Sequence, residues 1–455
     1  MTEEIFSESL AYNDVKRRAV ASRSFRTKLP SSNSTSFTQN QTIVIRLPGN
    51  LQGQYYDFSQ MYLKLKVTSN AAAILDRNGA YNFIQRVQVS QAGAQICDIN
   101  NYNVLVCAML DHQSSQGWKA SAGAQLIGCQ GDSLRGQALV TATARTFCLP
   151  MVCMPLANTT PHRLIPAFSL SDIEMRFTLN SDLAAVVGAA TLSYTDVEMV
   201  CVMTELSPGA QAQVDMNTGG IYNILANSFM NSQASKAAID TNLTANLGFS
   251  VSSLERILVI NRPNVSLASA THYSQNRGTL GLTQYSFLIN SEIYPQRPVE
   301  VSDYGAEAFA ELLQSDHALV DFSRSSSINS GFAVAGVNLG VGTSDLSGVD
   351  PNAVKNKPYT LAFPVGNQPG AVGAAGADAT ASNIGTFLVG CDFESAVATG
   401  KSHRIYSGIS TLASNVQFRG TFTAGAVPST LDFFAVFTIR ILLNTRSLGV
   451  FEVSV

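Results

Sequence analysis

The chain has few charged residues. Asp, Glu, Lys and Arg together make up 13% of its 455 residues, against about 25% in typical soluble domains. The formal net charge of −3 gives no chain-wide attraction to nucleic acid or to an anionic membrane. Bulk disorder is excluded as well, because 45% of the residues are hydrophobic and disordered chains are poor in such residues. A surface with so few charges is either polar and uncharged or covered by other subunits.

Sequence motifs for catalysis and for metal binding are also missing. The seven cysteines form no CxxC pair, and their odd number and wide spacing indicate neither a zinc ribbon nor a disulfide framework. The five histidines contain no i, i+4 pair that could ligate a metal. The segment Ser395–Ser402 (SAVATGKS) resembles a phosphate-binding P-loop, but Ser395 stands where that loop needs glycine. We therefore predict no enzyme activity, no cofactor and no catalytic or metal-ligating residue.

The sequence also lacks signals for membrane insertion or secretion. No stretch of about 18 uninterrupted apolar residues occurs, so we expect no transmembrane helix. The N-terminus, MTEEIFSESL, is acidic where a signal peptide requires positive charge followed by an apolar stretch. We expect the chain to be made in the cytosol with its thiols reduced.

Short alternating segments predict that β-strands dominate the chain. In Tyr62–Thr68 (YLKLKVT), apolar residues alternate with Lys64 and Lys66, as in a strand with one buried face. Similar strands, separated by Gly, Asn and Pro, continue to about Leu206. The first half is therefore predicted to be a β-domain.

The second half repeats the order of elements. Each half contains one helix with apolar residues at i, i+3, i+4 and i+7, namely Tyr102, Leu105, Val106 and Met109 in the first and Ala306, Phe309, Ala310 and Leu313 in the second. We expect the first helix to cover the end of a β-sandwich.

Both helices end in an Asp-His pair, Asp111-His112 and Asp316-His317. We interpret these pairs as helix caps rather than catalytic groups, because a helix dipole favours histidine at its C-terminus. Closing strands match as well, 172–179 and 194–202 against 415–422 and 431–439, which predicts two tandem copies of one all-β domain.

These patterns divide the chain into segments. We predict an N-terminal arm, a first β-domain, a connecting loop region and a second β-domain, with bounds 1–40, 41–206, 207–250 and 251–455. The second domain contains a Gly/Ala-rich insertion, 331–385. We expect this insertion, with the connecting region as a second candidate, to form outward-projecting loops, since long aperiodic segments cannot satisfy their backbone groups in a core.

Positive charge gathers near the N-terminus. Positions 15–29 contain no acidic residue and six basic ones, Lys16, Arg17, Arg18, Arg23, Arg26 and Lys28. Two interpretations are open: a solvated tail, or an arm that contacts an anionic partner such as packaged nucleic acid or a membrane surface. We favour the second, because the rest of the chain carries the negative excess. Residues 1–40 have too few periodic apolar positions to form a strand or helix on their own.

Several segments resemble the double jelly-roll major capsid proteins of eukaryotic DNA viruses. The first is Leu75–Val89 (LDRNGAYNFIQRVQV), followed by Ala92–Gln95 and by the helix start Asn101–Leu105. In that family an aromatic residue and an Ile-x-Arg strand precede a Gly-containing turn and a helix that begins Asn-Tyr. The corresponding second-half segments are Gln284–Asn290, Tyr294–Pro298 and Glu311–Leu313. The group of Polinton-like viruses, adintoviruses and virophages is the most similar, and the order of elements resembles the family over about residues 40–445.

The resemblance implies two tandem eight-stranded jelly rolls with short helices and long loops. It implies a homotrimer that forms a pseudo-hexagonal capsomer of an icosahedral shell, with neighbouring capsomers and minor capsid or penton proteins as partners. Packaged DNA or an inner membrane would contact the N-terminal arm, and the protein would reside in the virion after synthesis in the host cytosol. The low charge agrees, because subunit interfaces are depleted in charged residues.

Two alternatives from other classes stay open. One is a minor vertex or spike protein of the same virion, although such proteins are more often single jelly rolls. The other is a carbohydrate-binding β-sandwich protein, since jelly rolls also serve lectins. The single tryptophan, Trp118, and the dispersed carboxylates offer little for stacking on or binding a sugar.

Overall fold

Antiparallel sheets make up most of the chain in a computed structural model. The structure describes residues 22–129, 136–159, 162–188, 190–264, 275, 277–301, 305–316, 319, 386–394, 408–423, 428–444 and 450–454. The Gly/Ala-rich insertion, the P-loop-like segment, His317 and the basic residues Lys16, Arg17 and Arg18 lie outside these residues.

The first half contains strands β1 to β13. They are β1 (Ser22–Pro30), β2 (Ser36–Phe37), β3 (Thr42–Leu47), β4 (Gln54–Ser69), β5 (Ala73–Leu75), β6 (Ile84–Gln91), β7 (Ala94–Asn100), β8 (Ala138–Leu139), β9 (Arg145–Pro150), β10 (Ile165–Pro166), β11 (Ile173–Leu179), β12 (Val186–Val187) and β13 (Leu192–Leu206). The helices are α1 (Tyr102–Gln113), α2 (Gln116–Ala120), α3 (Ala122–Leu126) and α4 (Asp182–Ala185). One sheet has the order β1-β13-β4-β10, with β2 on β13 and β9 on β4, and the other has the order β3-β11-β6-β7. Strands β12, β5 and β8 form a small third sheet.

The second half contains strands β14 to β22. They are β14 (Ile221–Lys236), β15 (Asn242–Asn246), β16 (Leu254–Pro263), β17 (Leu282–Ile289), β18 (Glu292–Glu300), β19 (Val389–Asp392), β20 (Val416–Phe422), β21 (Ser429–Asn444) and β22 (Val450–Ser454). Helix α5 (Pro208–Thr218) precedes them, and α6 (Ala306–Ser315) follows β18. One sheet has the order β14-β21-β16-β19, with β22 on β21, and the other has the order β15-β20-β17-β18.

The two halves correspond strand by strand. Strands β1, β13, β4 and β9 take the places that β14, β21, β16 and β19 take in the second half, and β3-β11-β6-β7 corresponds to β15-β20-β17-β18. Two facing four-stranded sheets with this connectivity are a jelly roll. We call residues 22–206 roll 1 and residues 221–454 roll 2. The predicted all-β fold with two tandem jelly rolls is therefore confirmed, and so is the predicted match of the closing strands.

Each roll contains a buried phenylalanine at the centre of an aromatic cluster. Phe83, in the turn before β6, makes edge-to-face contacts with Phe147 and Tyr194. Phe287, in β17, contacts Phe393 and Phe418 in the same way. Both phenylalanines are fully buried. Phe147 and Tyr194 belong to one sheet of roll 1, whereas Phe418 neighbours Phe287 within one sheet and Phe393 follows β19 of the other. These edge-to-face aromatic pairs add to the energy of apolar burial.

Part of the predicted N-terminal arm is a strand. Residues 22–30 form β1, which pairs antiparallel with β13 from Ser22–Leu206 to Pro30–Glu198. Phe25 and Leu29 pack against the core, whereas Arg26 and Lys28 are exposed. The alternation is weak because only two of nine residues are large and apolar, so pairing with β13 decides the conformation. Roll 1 thus begins at least as early as residue 22 rather than at 41.

The predicted connecting loop, 207–250, also contains regular structure. The Ser207 side chain caps α5 by accepting a hydrogen bond from the backbone N–H of Ala210, and Gly219 ends the helix in a left-handed conformation. Strands β14 and β15 follow and belong to roll 2. Polar residues such as Asn223 and Asn227 occupy alternate positions of β14, so the apolar alternation typical of a strand is weak in this segment. The connection between the rolls is therefore α5, and the loop assignment is corrected.

Candidate assembly surfaces

Helix α1 lies at the junction between the two rolls. All residues from Tyr102 to His112 are buried, although the sequence pattern predicted a helix with one apolar face over the end of a sandwich. Just before the helix, the Asn101 side chain donates a hydrogen bond to Asp432 Oδ1 in roll 2, at 3.1 Å. Near this point Thr159 of roll 1 forms an antiparallel bridge with Ala226 in β14. Roll 2 therefore contacts roll 1 immediately before α1 and beside it.

A buried ionic cluster at the C-terminal half of α1 joins the rolls. The Asp111 carboxylate pairs with Arg77 at 3.7 Å and accepts short hydrogen bonds from Lys119 and Arg277. Arg277 belongs to roll 2 and is fully buried. The Asp76 carboxylate accepts a hydrogen bond from the backbone N–H of Gln275 in roll 2, at 3.2 Å. We call Asp76, Arg77, Asp111, Lys119 and Arg277 the junction cluster.

The junction cluster contains three cations and two carboxylates. Burial lowers the pKa of Lys119 to about 7, the pKa of Arg277 to about 9 and the pKa of Arg77 to about 10. Burial is the leading cause in each case, because a charge loses its hydration when water is excluded. The two arginines and the lysine also repel one another, so the lysine is the cation that most readily releases its proton.

A second polar link lies beside the first. Asp316, at the end of α6, accepts a hydrogen bond from Arg256 Nη1 at 2.5 Å and from the Gln113 side-chain amide at 3.1 Å. His112 Nε2 lies 3.6 Å from the Asp316 carboxylate. Burial would raise the pKa of Asp316, but Arg256 and His112 outweigh it and lower the pKa below its ordinary value. Asp111, His112 and Asp316 thus bridge the rolls. His112 lies in the last turn of α1, as the interpretation of a helix-end histidine predicted, whereas His317 of the second pair lies outside the described residues.

The predicted basic residues that the structure describes lie on β1. Arg23 pairs with Glu205 at 2.6 Å, Lys28 lies 3.8 Å from Glu198, and Arg26 donates to the Tyr62 hydroxyl at 3.2 Å. The sequence did not reveal the partners Glu205 and Glu198, because these carboxylates belong to β13, far from β1 in the chain. The basic run is therefore not isolated from acidic residues in the folded protein.

Two further lysines extend this surface across β4. Lys64 pairs with Glu198 at 2.9 Å and Lys66 with Asp196 at 3.6 Å. The alternation in residues 62–68 already indicated that both lysines point away from the core. We call the outer face formed by Arg26, Lys28, Lys64, Lys66, Asp196 and Glu198 the basic face, since its four cations exceed its two carboxylates.

An acidic edge lies on roll 2. Strand β18 and helix α6 carry four carboxylates and one cation among their described residues: Glu292, Glu300, Glu307, Glu311 and Arg297. The Glu307 carboxylate accepts a hydrogen bond from the Glu300 backbone N–H at 3.0 Å, which ties the helix to the strand. Partial burial, Glu307 and Asp392 raise the pKa of Glu311. We call this set the acidic edge.

The described residues provide no group of three or more His, Cys, Asp and Glu side chains arranged to hold a metal ion. Among the helices that the structure describes, none has the length and apolar character to cross a membrane.

Comparison with known proteins identifies solved structures of similar fold. Neither a protein-family model nor a curated protein sequence matches the chain. Solved structures do match over nearly the full length. PBCV-1 VP54, fitted into a reconstruction of the virophage Sputnik, superposes with a TM-score of 0.60 at 10% identity, covering 98% of this chain and 99% of that chain. The Faustovirus major capsid protein superposes with a TM-score of 0.56 at 9% identity, covering 96% of this chain and 93% of that chain. The mavirus major capsid protein superposes with a TM-score of 0.52 at 12% identity, covering 100% of this chain and 96% of that chain.

At these identities the comparison establishes the fold. The chain has the double jelly-roll fold that these viral major capsid proteins share. The resemblance seen in the sequence segments is thereby confirmed at the level of fold.

Proposed function

We propose that the protein is a viral major capsid protein whose trimers form pseudo-hexagonal capsomers of an icosahedral shell. The observation that carries this proposal is the pair of equivalent jelly rolls fixed side by side by a buried junction. Three such chains around a closed three-fold axis present six similar units, which suits a lattice position with six neighbours. The similarity to capsid proteins extends over both rolls, which supports the same role.

This role implies a virion location and structural partners rather than a substrate. The partners are two further copies of the chain, neighbouring capsomers, and minor capsid or penton proteins. We assign no catalytic step to the protein. Lys16, Arg17 and Arg18 precede β1 and would contact packaged DNA or an anionic inner membrane, where phosphate contacts release counterions.

Light scattering and negative-stain imaging of the purified protein test the proposal. We expect particles of three times the 48.5-kDa chain mass with a hexagonal outline. A monomer at all concentrations, or a five-fold particle, would contradict the capsomer and favour a minor vertex protein. Specific binding to a glycan array by a monomer would favour the carbohydrate-binding alternative.

Deleting residues 1–21 tests the arm separately. The deletion leaves β1 intact, so trimers should still form while shell assembly becomes inefficient or sensitive to salt. Normal particles with normal genome content from this variant would overturn the proposed contact with an anionic partner.

A further inference from the structure

The junction within the chain shows how one roll packs on the next. An edge of roll 1, formed by α1 and the segment around Thr159, meets the outer face of the β14-β21-β16-β19 sheet of roll 2. Asn101 reaches Asp432 on this face, and Gln113 reaches Asp316 beside it. The contact therefore joins two different surfaces, an edge of one roll and a sheet face of the next.

Both surfaces have an uncovered counterpart, because the rolls are duplicated. The counterpart of the covered sheet face is the basic face of roll 1, where the side chains of Lys28, Lys66 and Asp196 are 49%, 42% and 61% exposed. Asp432, on the covered face, is fully buried.

The counterpart of the covered edge is the acidic edge of roll 2. Whereas α1 is buried from Tyr102 to His112, α6 leaves Ala306, Glu307, Ala310 and Gln314 exposed. Beside it, Ile293 on β18 is 43% exposed. Helix α6 therefore has an exposed face, whereas the corresponding helix α1 is buried from Tyr102 to His112.

We propose that the basic face of one copy docks against the acidic edge of a second copy and so repeats the junction between chains. The proposal rests on the proposed capsomer and names the surfaces that hold it together. Within a chain, one rotation relates roll 1 to roll 2. If the same rotation is repeated, roll 1 of the next chain lies beside roll 2 of the first. Closed symmetry then makes every roll contact two others.

Charge complementarity supports this choice of partner. The basic face has two more cations than carboxylates, and the acidic edge has three more carboxylates than cations. Complementary charges across an interface fix the register and reject wrong partners, because like charges placed together cost several kcal/mol. The cations of β1 thus have carboxylates of a neighbouring subunit as partners, whereas the basic residues before β1 remain for a polyanion.

Charge reversal followed by light scattering tests the interface. We expect K28E/K66E and, separately, E292K/E300K to weaken trimer formation at least about 100-fold, since each places like charges in contact. The variant that combines all four substitutions restores opposite charges and should form trimers again. A matched control, R46E/R176E, reverses two exposed arginines on the outer face of the other sheet of roll 1 and should leave the trimer unchanged.

Zero-length carbodiimide cross-linking of the wild-type protein gives a second measurement that needs no variant. Mass spectrometry should find inter-chain peptides that link Lys28, Lys64 or Lys66 to Glu292, Glu300 or Glu307. Wild-type trimers without such links, or reversal variants that trimerise as well as wild type, would overturn the interface while leaving the capsomer intact. A wild-type protein that stays monomeric would instead refute the capsomer, and the interface with it.

Discussion

Replacing Asp111 by Asn should strongly destabilise the junction between the rolls. The substitution keeps the shape of the side chain but removes the negative charge that faces Arg77, Lys119 and Arg277. Asp76 would then be the remaining carboxylate of the junction cluster. Removing one member of a buried ion pair typically costs about 3–5 kcal/mol, because the partner charge stays buried without compensation. We expect the free energy of unfolding to fall by about this amount at neutral pH.

Removing a cation from the junction cluster, rather than a carboxylate, should cost much less stability. Lys119→Met removes the surplus cation and leaves Asp111 with two arginines, so we expect a loss of no more than about 1 kcal/mol. It should also change the pH dependence. Folded Lys119 releases its proton at about pH 7, whereas the unfolded lysine holds its proton to its ordinary pKa of about 10.4.

Between these pH values Lys119 binds more protons in the unfolded state than in the folded state, so the contribution of Lys119 to the stability rises with pH. One proton contributes at most about 1.4 kcal/mol per pH unit. Lys119→Met should remove this contribution to the slope.

Urea unfolding followed by tryptophan fluorescence measures these changes. The single tryptophan of the chain, Trp118, precedes Lys119 and packs against the core, so its emission reports on the junction. The surface control is Glu205→Gln, which weakens the exposed pair with Arg23 and should cost about 0–1 kcal/mol. A cost for Asp111→Asn no larger than that of the control would refute the reasoning, as would an equally large cost for Lys119→Met.

Three further predictions follow from burial and backbone geometry. In the charge-reversal variants described above, when they are folded but monomeric, Cys148 should be the first thiol to react with a thiol reagent, because the other six cysteines are buried. Rapid labelling of several thiols would contradict this. Gly79→Ala should cost about 2–4 kcal/mol in urea unfolding, since φ is +67° and a Cβ would lie 2.0 Å from the Ile127 carbonyl oxygen. Gly93→Ala, with φ +86° and nothing within 4 Å of its Cβ, should cost only about 1 kcal/mol, and equal costs would refute the close-approach argument. Phe287→Ala should lower the free energy of unfolding by about 3–5 kcal/mol, because the ring is fully buried, and a loss under 1 kcal/mol would show that its burial contributes little to the stability of roll 2.

The sequence by itself determined the class of the fold and its duplication. Strand alternation in segments such as residues 62–68 and the i, i+3, i+4, i+7 spacing of α1 and α6 are local properties, so both helices and the closing strands of each roll were predictable. The order of these elements repeats, which was sufficient to predict two tandem jelly rolls.

Tertiary structure decided what depends on residues far apart in the chain. Strand β1 has weak alternation and becomes a strand because β13 supplies its hydrogen-bond partners, about 170 residues away. The same pairing brings Glu198 and Glu205 to cations that looked isolated in the sequence. Asp111 and Arg277, 166 residues apart, meet only because roll 2 packs on α1. Local patterns carry no information on such contacts, and it is these contacts that define the junction and, with it, the surfaces left open for assembly.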